Sequence, residues 1–249
     1  MEKKVLIVHG WMHSADLYKR LKRDLERTGT YKVKLYEIPG FGNAPAEKRY
    51  KVLRYYTKKM ERELAAGCYD YAIGHSMGGT ILLRAMVGKK LDTRLILLSP
   101  EYGGITVLKP LMFFVPLMLS MLYMTKRVYF RTTNFLIKCM ALFTINSWDK
   151  IDAQIVIDTR KAAPIVATCA MFELAWDNWR LKRGEWKCGK VELILGEKDR
   201  IIKQKNMKRL YNDIGNCHVY VIKGIGHTAV LEAYDILYKI IVKILECPC

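Results

Sequence analysis

A serine framed by small residues stands at position 76. The segment GHSMGG at residues 74–79 lies directly between the apolar run Tyr69–Ile73 and a segment that suits a helix. A serine in a tight strand-to-helix turn has strained backbone angles that project its hydroxyl outward, and its neighbours must be small because the strand and helix pass close together. The short pattern also arises by chance in unrelated chains. Together with its flanking elements, it predicts a nucleophile at Ser76.

A serine hydroxyl is a poor nucleophile at neutral pH, so it needs a nearby base and a third group that orients that base. Two later apolar runs end in such groups. Val191–Leu195 leads into Asp199, and Cys217–Ile222 leads into His227. Ligands of open α/β sheets bind beyond the carboxyl ends of the strands. The sequence therefore predicts a catalytic triad of Ser76, Asp199 and His227.

Two members of this triad have a second interpretation. Ser76 could be an ordinary N-cap of the following helix, and Asp199 could likewise cap the helix that follows it. Glu197 is a neighbouring carboxylate, but the position of Asp199 in a Gly-x-x-Asp turn favours Asp199 as the acid. His227 directly precedes the final helical segment, and no other histidine follows the acid at a corresponding strand end.

Short apolar runs alternate with helix-length segments through most of the chain. This alternation predicts an α/β fold with a mostly parallel sheet and helices on both of its faces. The predicted strands are Val5–Val8, Val33–Ile38, Tyr69–Ile73, Arg94–Leu98, Val191–Leu195 and Cys217–Ile222. The predicted helices are residues 14–28, 48–66, 76–88, 203–213 and 229–246.

One connection is much longer than an α/β unit requires. Residues 99–190 separate the fourth and fifth predicted strands, and so long an insertion commonly serves as a lid or binding element. We expect a core domain of residues 1–100 and 187–249 and a cap of residues 101–186. Apolar side chains of the cap either line a substrate pocket or seat the cap on the core. The pocket candidates are Met112, Phe113, Met118 and Trp148.

The composition describes one large basic domain. The 249 residues are 51% hydrophobic and 27% charged, and 42 Lys and Arg against 24 Asp and Glu give a net charge of +18. These values exclude a disordered or fibrous chain. The stretch from Tyr102 to Trp148 has no acidic residue. Such a surface suits an acidic protein or an anionic membrane, or serves only solubility. Nucleic acid is not expected, because the basic residues are dispersed.

The remaining signals concern location and cofactors. Seven scattered cysteines favour a reducing compartment, and the apolar run before His9 is too short for a signal peptide, so we expect a cytoplasmic protein. The histidines and cysteines lack the spacing of zinc ligands. No glycine pattern for nucleotide phosphates is present. We therefore expect neither a metal nor a cofactor.

The order Ser76, Asp199, His227 resembles that of the α/β-hydrolase superfamily, whose triad follows the order serine, acid, histidine. HGW at residues 9–11 is similar to the oxyanion loop of that family, and PGFG at residues 39–42 is similar to its turn after the second strand. The resemblance covers nearly the whole chain and implies an α/β-hydrolase fold with a helical cap after the fourth strand. Among capped members, bacterial pimeloyl-acyl-carrier-protein methyl ester esterases are most similar.

The resemblance implies a serine hydrolase that acts on a small-molecule ester or thioester with an apolar acyl part. His227 would take the Ser76 proton, and the main-chain N–H groups of Trp11 and Met77 are the candidate donors to the oxyanion. Two alternatives stay open. The same pocket could cleave a carbon–carbon bond, or the basic face could dock acidic acyl-carrier protein or an anionic membrane, with catalysis secondary.

Three further expectations concern acidic residues and histidines near the site. Some family members place the acid after the fourth strand, which makes Glu101 a rival to Asp199. His9 and His75 are expected to support the oxyanion loop and the serine turn. We expect His13 and His218 to lie at the surface or in loops.

Overall fold

The computed structural model describes residues 2–47, 51–105, 157–158, 161–182 and 184–247. Six strands in this part of the chain form one parallel sheet with the order β2-β1-β3-β4-β5-β6. The strands are β1 (Lys3–Val8), β2 (Tyr31–Tyr36), β3 (Tyr71–His75), β4 (Arg94–Leu98), β5 (Val191–Gly196) and β6 (Cys217–Ile222). The prediction of a mostly parallel sheet is therefore confirmed.

Seven α-helices and one 3-10 turn accompany the strands in the described ranges. The turn covers Ala15–Tyr18, and the helices are α1 (Lys19–Glu26), α2 (Val52–Gly67), α3 (Met77–Met86), α4 (Pro164–Trp176), α5 (Gln204–Ile214), α6 (Ala229–Glu232) and α7 (Tyr234–Glu246).

The helices cover both faces of the sheet because successive strand residues point to opposite sides. In β1, Leu6 and Val8 belong to an apolar core that also contains residues of α2, α3, α4 and α5. Val5 and Ile7 belong to a second core that contains residues of α1 and α7. Burial on both faces explains why the central strands are almost continuously apolar.

Two predicted helices are divided in the structure. The segment 14–28 begins with the 3-10 turn, where the Ser14 side chain accepts a hydrogen bond from the Asp16 N–H, and α1 follows. The segment 229–246 is broken at Ala233, whose backbone angles of −148° and 50° are not helical. The break separates Glu232, whose carboxylate accepts the Gly226 N–H, from the long α7.

The strand order brings the connections after β1 and β3 together. The chain passes from β1 to β2 on one side and then to β3 on the other side of β1. At such a switch point the two connections leave the carboxyl edge of the sheet side by side, and this crevice is where α/β folds bind ligands.

The described part of the long insertion packs on the core. The Ala163 N–H donates to the Gly40 carbonyl oxygen at 2.7 Å. The two carboxylate oxygens of Glu173 in α4 accept the N–H groups of Val52 and Leu53 at 2.7 and 3.0 Å, so α4 caps the first turn of α2. The pocket candidates Met112, Phe113, Met118 and Trp148 lie outside the described residues.

None of the described helices is both long enough and apolar enough to cross a membrane.

Gly78 lies where α3 packs closely against the residues at the end of β1. A Cβ atom there would lie 2.4 Å from the His9 carbonyl oxygen and 2.6 Å from that of Val8. Because both are main-chain atoms, Gly78→Ala must push the helix away from the strand. We expect it to lower the free energy of unfolding by about 1–3 kcal/mol in urea denaturation. Gly189→Ala is the control, since a Cβ atom there meets nothing within 4 Å. Equal losses in both variants would contradict the steric argument.

Candidate active site

Ser76 occupies the turn between β3 and α3 in a strained conformation. Its φ of 49° and ψ of −118° lie in a region that residues with a side chain rarely adopt. The Ser76 N–H donates to the Leu98 carbonyl oxygen at 2.9 Å, which ties the turn to β4. A Cβ atom at Gly74 would lie 2.6 Å from the Gly79 Cα atom. The small residues of the motif are thus required by the close approach of strand and helix.

The hydroxyl of Ser76 is not used for capping. Ser76 holds the N-cap position of α3 but makes no side-chain capping hydrogen bond. The ordinary N-cap interpretation therefore does not describe this residue, and its hydroxyl remains available for chemistry.

Asp199 and His227 are joined directly. The Nδ1–H of His227 donates to Oδ2 of Asp199 at 2.8 Å, and the two side chains are only 5% and 6% exposed. Oδ1 of Asp199 accepts the main-chain N–H groups of Ile201 and Ile202, both at 2.9 Å. Asp199 thus caps a turn with one oxygen and contacts the histidine with the other. It does not cap the following helix, because α5 begins at Gln204 and its N-cap residue is Lys203.

The surroundings of Asp199 keep it ionised. Burial opposes the charged carboxylate, but the neighbouring His227 and the N–H groups of Ile202 and Ile201 outweigh burial and hold the pKa of Asp199 below its usual value. An ionised carboxylate at this position fixes the Nδ1–H tautomer of His227. Nε2 of His227 is then free to accept a proton.

The loops that carry Asp199 and His227 are in close contact. The Lys198 N–H donates to the Ile225 carbonyl oxygen at 2.8 Å. A Cβ atom at Gly196 would lie only 1.9 Å from the Gly226 carbonyl oxygen. Glu197, the neighbouring carboxylate, accepts the Gly224 N–H at 2.9 Å and so supports the loop before His227 rather than the His227 ring.

His75 connects the turn at Ser76 to His227. Its Nε2 lies 3.1 Å from the His227 carbonyl oxygen, and the two ring centroids are 5.1 Å apart. None of the hydrogen bonds between described residues joins the Ser76 hydroxyl to the His227 ring. Catalytic hydrogen bonds are often long until substrate binds.

The loop after β1 lies against the serine turn. A Cβ atom at Gly10 would lie 3.3 Å from the Ser76 Cβ atom. In the part of the chain that the structure describes, the main-chain N–H groups of Trp11 and Met77 have no acceptor. Met77 is the first residue of α3, where the helix dipole favours negative charge. Met77 directly follows Ser76 and Trp11 directly follows Gly10, so both N–H groups are candidate donors.

Buried side chains hold the loop after β1 in place. The Nδ1–H of His9 donates to the Gly10 carbonyl oxygen at 2.8 Å, and its Nε2 accepts the Ile38 N–H at 3.0 Å. Burial lowers the pKa of His9 to about 4, which keeps this ring neutral. The indole Nε1–H of Trp11 donates to the Ala167 carbonyl oxygen of α4 at 2.8 Å.

Glu101 belongs to a different cluster from His227. Its carboxylate accepts the Gly104 N–H, and it lies near Asp177, which pairs with Arg84. Burial, and then the charge of Asp177, raise the pKa of Glu101 to about 8. A carboxyl group that is protonated at neutral pH is poorly suited to orient an imidazolium, so this environment favours Asp199 as the acid.

The other histidines differ in their surroundings. His13 lies in the loop after β1, as expected, but its ring stacks on that of His75 with a centroid separation of 5.3 Å. His218 is exposed on β6, and its Nδ1 lies 3.2 Å from Glu192. Within the described ranges, no group of three or more potential metal ligands occurs.

The chain belongs to the alpha/beta hydrolase family, whose profile matches residues 5–239. Solved structures agree with this assignment. A hydrolase from Oleispira antarctica has a TM-score of 0.81 at 16% identity, with 100% of this chain and 92% of that chain covered. An esterase from Exiguobacterium antarcticum has a TM-score of 0.77 at 14% identity. An enol-lactonase from Burkholderia xenovorans has a TM-score of 0.76 at 16% identity.

In both of the last two comparisons, the matched region covers 98% of this chain and 92% of the other chain. At these identities the similarity establishes the fold, and the expected α/β-hydrolase fold is confirmed. No curated protein matches the chain.

Glu101→Gln should change how stability depends on pH. The folded-state pKa of Glu101 near 8 lies above its ordinary value, so the unfolded chain loses this proton at lower pH than the folded chain. The resulting stabilisation is full below the unfolded-state pKa and is lost as the pH rises toward 8. Between about pH 5 and pH 8, the free energy of unfolding should fall more steeply in the wild type than in the variant. The difference in slope should be at most about 1.4 kcal/mol per pH unit.

Urea denaturation in a series of buffers measures both slopes. Parallel curves would show that Glu101 is not buried in its protonated form.

Proposed function

We propose that this protein is a serine hydrolase that cleaves a carboxylic ester or thioester with an apolar acyl part. The main supporting observation is the 2.8 Å hydrogen bond between His227 and Asp199. It lies at the same edge of the sheet as Ser76, which follows β3 in a strained turn. The similarity to an esterase and an enol-lactonase supports ester chemistry in this fold.

In the proposed reaction, Nε2 of His227 takes the proton as Oγ of Ser76 attacks the carbonyl carbon. The carbonyl oxygen becomes an oxyanion that accepts hydrogen bonds from the N–H groups of Trp11 and Met77. Each such donor contributes about 3–4 kcal/mol to transition-state stabilisation in comparable enzymes. Asp199 stays ionised and stabilises the imidazolium.

Collapse of the tetrahedral intermediate completes the first half of the reaction. His227 gives its proton to the leaving alcohol or thiol, and an acyl group remains on Ser76. Water then gives a proton to His227 as its oxygen attacks the acyl carbon. His227 returns that proton to Oγ of Ser76 as the acyl–oxygen bond breaks, which releases the acid and restores the serine. Because the oxyanion donors are main-chain groups, side-chain replacement at Trp11 or Met77 should reduce activity less than replacement of Ser76.

A fluorophosphonate probe tests the nucleophile. We expect the probe to label the wild type at Ser76 and to fail with Ser76→Ala, as read by mass spectrometry of the labelled peptide. Ser99→Ala is the matched control, because Ser99 is also a buried serine with a positive φ, of 42°, directly after a strand. Labelling of Ser76→Ala, or of another residue in the wild type, would refute the assignment.

The identity of the acid is tested by comparing two carboxylates. Asp199→Asn should lower kcat for p-nitrophenyl esters on the order of 10⁴-fold, because the amide favours the wrong tautomer of His227. Glu101→Gln should retain activity within a few-fold, because Glu101 does not contact His227. If Glu101→Gln lowered kcat more than Asp199→Asn did, Glu101 rather than Asp199 would be the acid that orients His227.

The substrate class needs a panel of compounds. The resemblance to pimeloyl-acyl-carrier-protein methyl ester esterases makes methyl esters of medium-chain acids and their thioesters the first candidates. Turnover of a dienoic diketone orders of magnitude above that of p-nitrophenyl esters would favour carbon–carbon bond cleavage instead.

A further inference from the structure

We infer that His75 is a positioning residue that holds the main chain of His227 at a fixed place relative to Ser76. The inference rests on the proposed function, since it assigns His75 a role only through His227. His75 is the residue directly before the proposed nucleophile, and its side chain contacts the main chain of the proposed base. It thereby links two of the three triad segments without contacting substrate.

The hydrogen bond fixes which ring nitrogen of His75 carries the proton. A carbonyl oxygen can only accept, so the Nε2–H of His75 must donate to the His227 oxygen at 3.1 Å. The Nδ1 atom of His75 is then unprotonated, and it has no hydrogen-bond partner among the described residues. Burial, and then the nearby His227, lower the pKa of His75 to about 3. His75 is therefore a permanently neutral donor rather than a second acid or base.

The main chain around His227 is held from two directions. Glu232 of α6 accepts the Gly226 N–H at 3.1 Å, and His75 donates to the His227 carbonyl oxygen on the other side of the residue. Asp199 separately fixes the direction of the ring. Of these three contacts, only the one from His75 originates next to Ser76. It is therefore the contact that sets the distance between nucleophile and base.

The ring of His75 is itself restrained. His13 stacks on it with an interplanar angle of 11°, and Tyr18 lies at a centroid distance of 6.4 Å. Burial lowers the pKa of His13 well below its ordinary value, so the stacked ring adds no charge. The restrained ring cannot turn its Nε2–H away from the His227 oxygen without losing this packing.

Three substitutions at position 75 separate the hydrogen bond from packing. His75→Leu removes the donor, His75→Gln places an amide N–H near the position of Nε2, and His75→Asn carries the same amide on a shorter side chain. With p-nitrophenyl esters, kcat should fall about 10²-fold in His75→Leu, because a shift of about 1 Å in a catalytic group has that effect. KM should stay within about threefold. His75→Gln should recover most of kcat, and His75→Asn should not.

A second measurement does not depend on activity. The proton shared between His227 Nδ1 and Asp199 should give a far-downfield ¹H NMR signal, assigned by its loss in His227→Gln. The signal should shift or broaden in His75→Leu and return in His75→Gln. If the wild type hydrolyses no ester and is not labelled at Ser76 but the signal behaves in this way, the proposed function fails and the positioning role stands.

Other outcomes overturn the inference. An unchanged kcat and an unchanged NMR signal in His75→Leu would contradict it. Equal losses of kcat in His75→Leu and His75→Gln would also contradict it, because they would show that His75 acts only through packing. If circular dichroism shows that His75→Leu does not fold, the comparison of the Gln and Asn variants decides, and equal kcat in those two refutes the proposal.

Discussion

The close approach of α3 to the ends of β1 and β3 is the constraint on which the site depends. Residues in such strained backbone regions cost on the order of 1–3 kcal/mol, so the conformation of Ser76 persists only because its surroundings allow no other. Gly78 lies against the carbonyl oxygens of Val8 and His9, and Gly74 lies against Gly79. The packing that bends the chain at Ser76 is thus the same packing that brings the loop after β1 against Ser76.

Acidic side chains stabilise the loops at this edge of the sheet mainly by accepting main-chain N–H groups. Asp199 accepts two such groups besides its histidine, Glu197 and Glu232 each accept one from the loop before His227, and Glu101 accepts one from Gly104. Buried polar groups destabilise a fold unless they are paired, and these bonds pair both partners. The loops at the carboxyl edge therefore hold their shape without regular secondary structure, even though the chain as a whole carries a large positive charge.

The sequence predicted those features that depend on local pattern. The six strands, the serine turn and the residues that end β5 and β6 follow from apolar runs and turn residues that lie close together in the chain. The break at Ala233 and the role of Glu232 do not, because they depend on a contact with Gly226 that periodicity cannot reveal. The sequence likewise placed His75 as a support for the serine turn, whereas its hydrogen bond reaches a residue 152 positions later. Only the assembled sheet brings these groups together.

The described part of the insertion belongs to the framework of the site. Trp11 donates its indole N–H to Ala167 of α4 and packs against Met171 and Ala175, and the residue before it, Gly10, lies against Ser76. Movement of α4 would therefore displace a proposed oxyanion donor. It would also break the bonds from Glu173 to α2, and each capping bond of that kind contributes about 1 kcal/mol. Because α4 is bonded to Trp11, Val52 and Leu53, it fixes the position of the loop after β1 as well as the start of α2.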